Sequence, residues 1–99
     1  MKLLNKGAFK MIEFEWIKMD KHGCYTVSFN ADGKQKELFF QTIGELMDFV
    51  GVNPLFCGGK LPDGKDMTDK SGTLLDDNCI NYAIKWIKSN IDNLQPLLS

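Results

Sequence analysis

With 99 residues, 43% of them hydrophobic and 25% charged, the chain can build one core but not two, and its balance excludes wholesale disorder. A formal net charge of -1 removes any general electrostatic drive toward nucleic acid or an anionic membrane. All 12 basic residues are lysines, so the planar fork with which arginine reads guanine is missing and sequence-specific DNA recognition is disfavoured.

Residues 1–8 read as a flexible leader. Leu3 and Leu4 are its only apolar pair, too short for a signal-peptide core, and no run approaches the ~18 apolar residues a membrane span needs. From Phe9 to Met19 polarity alternates, which predicts a strand with Ile12, Phe14 and Trp16 on one side and Glu13 and Glu15 on the other. The two glutamates read as solvated charge on the wet face, since nothing implies a cleft around them. Asp20-Lys21-His22-Gly23 is a reversal. Cys24 to Asn30 alternates again, with Tyr25, Val27 and Phe29 on one face. Asp32-Gly33 is a hairpin signal, and Gln35 to Phe40 makes a plausible third strand.

Thr42-Ile43-Gly44-Glu45 has the form of a capping box, in which the Thr hydroxyl accepts from the third amide and the glutamate reaches back to the first. Ile43, Leu46, Met47 and Val50 then recur at helical spacing. Gly51 can end the helix and Asn53-Pro54 opposes its continuation.

The run from Leu55 to Asp69 follows. It holds an apolar piece, a Gly58-Gly59 turn, the lone Leu61, a Pro62-Asp63-Gly64 turn suited to type I geometry, and Met67 before Asp69. Lys70 to Asn78 reads as a polar crossing loop. Its match to a calcium loop fails, because Met67 and Asn78 stand where the first and last oxygen ligands belong. Ile80, Tyr82, Ile84 and Trp86 alternate with Asn81, Ala83 and Lys85, which favours a closing strand. The competing reading is a helix, since Ile80, Ile84, Ile87 and Ile91 also fit a period of 3.6. Residues 89–99 are left as a C-terminal tail after a single domain over 9–88.

The layout of Leu55 to Asp69 resembles the second half of the ubiquitin-like family, and the likeness extends over roughly residues 24–88. Leu55 and Phe56 fall on the family's strand, Gly58 on its turn, Leu61 on its lone leucine and Met67 on its buried apolar position. The resemblance implies an α+β fold, the β-grasp, with a mixed sheet of four to five strands packed on one short helix. The opening hairpin is then residues 24–40, with 9–19 as an added edge, or residues 9–30 with 31–40 inserted. The implied function is a non-catalytic protein-protein interaction module that binds a partner through the exposed sheet face around Leu55, Lys60 and Ala83. The family's conjugating members end in Gly-Gly. This chain ends Leu97-Leu98-Ser99, which implies a non-conjugating member.

A second reading is a small stand-alone inhibitor or immunity-type protein, of phage or mobile-element kind, acting through an acidic loop surface that includes Asp63, Asp66 and Asp69. Catalysis is not expected. The single histidine, His22, and nearby Cys24 sit at a turn without a third orienting group. No cofactor or metal is implied, nor a specific nucleic acid or membrane partner, and the chain is expected to be a monomer or weak dimer. Cys24, Cys57 and Cys79 form no Cys-x-x-Cys pair, which suggests reduced thiols and a cytoplasmic setting.

Overall fold

The computed structural model describes residues 9–53 and 59–98. Its three alternating runs become an antiparallel meander of β1 (Ile12–Met19), β2 (Tyr25–Ala31) and β3 (Lys34–Phe40), in the order β1-β2-β3. The turns have local causes. Asp20 Oδ1 accepts from the N–H groups of His22 at 2.8 Å and Cys24 at 3.1 Å, which closes the first reversal. At the second, Asp32 and Gly33 take φ values of 54° and 86°, the left-handed pair whose twist suits a two-residue hairpin.

Asp32 has a second task. Its carboxylate accepts from the N–H groups of Lys10 and Met11, each at 2.9 Å, so the segment entering β1 is pinned to the β2–β3 turn. Next to it, Phe9 and Gln95 exchange two bonds of 3.2 Å, backbone N–H to Oε1 and Nε2–H to backbone O, which ties this entry to the other end of the described chain.

β2 is the central strand. Tyr25, Val27, Phe29 and Ala31 line its inner face and are all buried. α1 (Ile43–Phe49) starts as expected at Thr42, whose Oγ1 accepts from the Glu45 N–H at 3.1 Å. The glutamate, however, reaches the N–H of Gln41, one residue before the cap, at 3.0 Å. Leu46 and Met47 are the helix's buried residues. Phe49 joins its neighbours, with ring centroids 5.2 Å from Phe40 and 5.7 Å from Trp86.

Residues 59–75 carry two small β-bridges, Lys60 to Asp66 and Thr68 to Leu74. The Gly64 N–H donates to Leu61 O at 2.9 Å, the reversal expected at Pro62-Asp63. Leu61 and Met67 are buried anchors between these turns.

The closing strand is corrected. Asp76 to Ser89 is a helix, α2 (Asp76–Ser89), and among the described residues the sheet has three strands, all antiparallel, rather than the mixed four to five of a β-grasp. The reason lies in depth of burial. Cys79, Ala83 and Ile87, each four residues apart, are fully buried, while Ile80, Tyr82, Ile84 and Trp86 are all half-buried on the flanks of that stripe. A strand would have buried alternate residues instead. Two of the three stripe residues are small, which lets the helix axis approach the core closely. Asp76 and Asp77 sit in the first turn and Lys88 in the last, each on the favourable end of the helix dipole. The Tyr25 hydroxyl donates to Asp76 Oδ2 at 3.2 Å and so links β2 to the start of α2.

The residues set apart as a tail continue the core. A 3₁₀ turn (Ile91–Leu94) and α3 (Gln95–Leu98) bring in Leu94 and Leu98, each 3% exposed.

Two tests follow from this packing. Ala83→Leu should overpack the helix–core contact and cost about 1–3 kcal/mol by urea unfolding. The same change on an outward-facing strand would leave stability nearly unaltered. Acid should also weaken the fold. Backbone N–H donors at Asp32 and Asp20, and the Ser71 hydroxyl together with backbone donors at Asp69, hold these carboxyls below their ordinary value of 3.8. Their contribution is complete above that value and is lost as pH falls through the lowered folded-state values. The urea midpoint should therefore drop below about pH 4, and changing all three to Asn should flatten that part of the pH profile.

Candidate interaction surface

The helices cover one face of the meander and leave the other open. Facing pairs in the register share a side. The open face therefore carries three cross-strand rows: Glu13 with Asn30 and Gln35, Trp16 with Ser28 and Glu37, and Lys18 with Thr26 and Phe39.

Trp16 is the corrected member. Strict alternation puts it with Ile12 and Phe14, but the register steps from Phe14 opposite Phe29 to Trp16 opposite Ser28, so Glu15 is an extra residue. This bulge turns Trp16 outward and Ile17 inward. The signal in the sequence was the adjacent Trp16-Ile17 pair, followed by a lysine that cannot lie in the core.

The centre of the open face is a polar chain. Ser28 Oγ donates to Glu15 Oε1 at 2.7 Å and accepts from Gln35 Nε2 at 2.9 Å. Ser28 is 0% exposed, so these two partners satisfy a hydroxyl that water does not reach. Around it, Phe39 is 59% exposed, and Lys18 Nζ lies 4.4 Å from the centroid of the Trp16 ring. A groove of about 330 Å³ runs between Trp16, Lys18, Met19, Asp20, Thr26 and Glu37. It joins aromatic and aliphatic surface to charges of both signs.

The residues expected to form the binding site fare differently. Leu55 lies outside the described residues. Ala83 is fully buried on α2, far from the outward position that a closing strand implied. Lys60 is exposed but ion-paired with Asp66 beside its own β-bridge. Asp63 accepts from the Lys65 N–H at 3.0 Å and lies 3.6 Å from Lys85 Nζ. Asp69 Oδ1 accepts from the Ser71 N–H at 2.8 Å, the Ser71 hydroxyl at 2.6 Å and the Thr73 N–H at 3.0 Å. Asp66 and Asp69 therefore hold their own loop together, while Asp63 also ties that loop to α2.

His22 and Cys24 remain at the β1–β2 reversal, both organised through backbone bonds to Asp20. Among the described residues no three acidic, histidine or cysteine side chains come together to hold a metal ion, and no helix is long and apolar enough to cross a membrane.

No family model matches the sequence, and no curated protein or solved structure is significantly similar to it.

The polar chain on the open face can be tested directly. Ser28→Ala removes one donor and one acceptor, and should cost about 1 kcal/mol of stability by chemical denaturation while leaving the far-UV circular dichroism spectrum unchanged.

Proposed function

We propose that the chain is a non-catalytic protein-binding module whose working surface is the open face of the meander, centred on Trp16, Lys18, Thr26 and Phe39. The observation that carries this reading is the uncovered sheet face itself: Trp16 and Phe39 stand outside the core cluster and the hydrophobic residues packed around it. Aromatic side chains supply the largest contact area at low entropic cost, and in interfaces they dominate the energy. A rigid sheet fixes their spacing before a partner arrives, which lowers the ordering cost of binding.

The alternative, an inhibitor acting through the acidic loop, has less support. Asp63, Asp66 and Asp69 already face a lysine or their own loop's donors, so a cationic partner would have to compete with those contacts.

Affinity capture from the native host with matched variants separates the two. Phe39→Ser and Trp16→Ala should keep the fold and weaken capture of the same partner by roughly 30-fold or more, the loss typical of an interface hot spot. Capture should also survive high salt, because apolar burial is not screened as exposed charge pairs are. Loss of the partner in Asp63→Asn with Asp66→Asn, together with retention in Phe39→Ser, would reverse the assignment.

A further inference from the structure

We propose that two copies of this chain pair through their β1 strands, antiparallel and about a twofold axis, joining two three-stranded sheets into one of six. The inference rests on the sequence of one edge strand and on where its bulge falls.

β1 bonds β2 on one side only, and among the described residues no other strand bonds its second side. Such an edge offers free N–H and C=O groups to another strand. Which residues offer them follows from the two ends of the hairpin. The Asp20 N–H donates to Cys24 O at 2.9 Å, and the Asp32 N–H donates to Met11 O at 3.0 Å. Asp20 and Met11 flank β1 in step with its outward-facing residues Glu13, Trp16 and Lys18, so that set bonds β2. The inward-facing set, Ile12, Phe14, Ile17 and Met19, therefore directs its backbone groups to the free edge.

Two copies of β1 in full antiparallel overlap place Ile12 opposite Met19, Glu13 opposite Lys18, Phe14 opposite Ile17 and Glu15 opposite Trp16. In a regular strand of even length this overlap would set inward residues against outward ones, because the side alternates with every residue. The extra residue Glu15 corrects the parity. Ile12, Phe14, Ile17 and Met19 then meet one another on the inner face, and Glu13 meets Lys18 on the outer face. Hydrogen-bonding groups fall in step as well, since the paired inward residues are the ones whose backbone faces the edge.

Three features of the single chain fit this pairing. Neither Glu13 nor Lys18 belongs to an ion pair among the described residues. Met19 is 58% exposed although it lies on the inward-facing set. At the other end of the same edge, Ile12, Glu13, Phe14, Lys88 and Ile91 line a mostly apolar notch of about 230 Å³, beside the position where the second copy's Met19 would stand. The other edge lacks this complementarity. β3 has no bulge, and its full overlap with a second copy centres on Glu37 and sets two like carboxylates face to face.

The pairing is isologous, so each cross-strand contact occurs twice. It also brings the two Trp16 side chains to either side of the axis, on one continuous open face.

Sedimentation equilibrium of the full chain up to roughly 1 mM tests the proposal, since weak association is populated in that range. Wild type should dimerise. Glu13→Lys and Lys18→Glu each turn two attractive cross-strand pairs into repulsive ones, and should raise the dimer Kd about tenfold or more at low salt. Both positions are exposed, so the fold should persist by circular dichroism. An equimolar mixture of the two variants restores every opposite-charge pair in the mixed dimer, and should associate where neither variant does alone. A monomeric wild type, single variants that dimerise as wild type does, or a mixture that stays monomeric would each overturn the pairing.

Discussion

The packing of the buried stripe Cys79, Ala83 and Ile87 against the core is the contact on which the rest of the structure depends. A three-stranded meander has one face it must cover, and a short α1 cannot cover it alone. α2 supplies the missing surface because its deepest residues repeat every four positions and two of them are small. Once α2 occupies that side, the helices, the 3₁₀ turn and the two loop anchors Leu61 and Met67 all gather there. The opposite face is left to its own polar network and to solvent.

This division of the sheet also decides what the open face displays. The inner face of β2 is uniformly apolar, whereas its outer face carries Thr26, Ser28 and Asn30, which no hydrophobic core would accept. Ser28 is nevertheless sealed from water and bonded on both sides, so the open face has a fixed centre around which Trp16, Lys18 and Phe39 are displayed. The bulge at Glu15 contributes twice. It aims Trp16 outward, and it changes the parity of an edge strand that is otherwise too regular to match itself.

Much of the local structure was legible in the sequence. Alternation locates the meander, Asp32-Gly33 its tight hairpin, Thr42 the start of α1 and the lone Leu61 an anchor between turns, whereas Met67 is given a buried position only by the resemblance. The last third was harder to read, for a definite reason. Ile80, Tyr82, Ile84 and Trp86 satisfy period two, while Ile80, Ile84, Ile87 and Ile91 satisfy period 3.6, and β-branched and aromatic content tips a local reading toward strand. Tertiary packing decides the matter through Cys79 and Ala83, whose small size carries no weight in a count of large apolar residues. The site was obscured in a similar way. Period two hides a bulge, so strict alternation sets Trp16 on the core side, and the resemblance to the ubiquitin-like family implies an outward Ala83, which α2 buries.

Backbone NMR over Asp76–Ser89 tests the central claim most directly. Helix α2 predicts downfield Cα secondary shifts through the whole segment, with strong sequential amide–amide contacts and Ala83 contacts to core side chains. Upfield Cα shifts with cross-strand contacts from Ile80, Tyr82 and Ile84 would contradict it, and would place a fourth strand where this account has the helix that leaves the opposite face open.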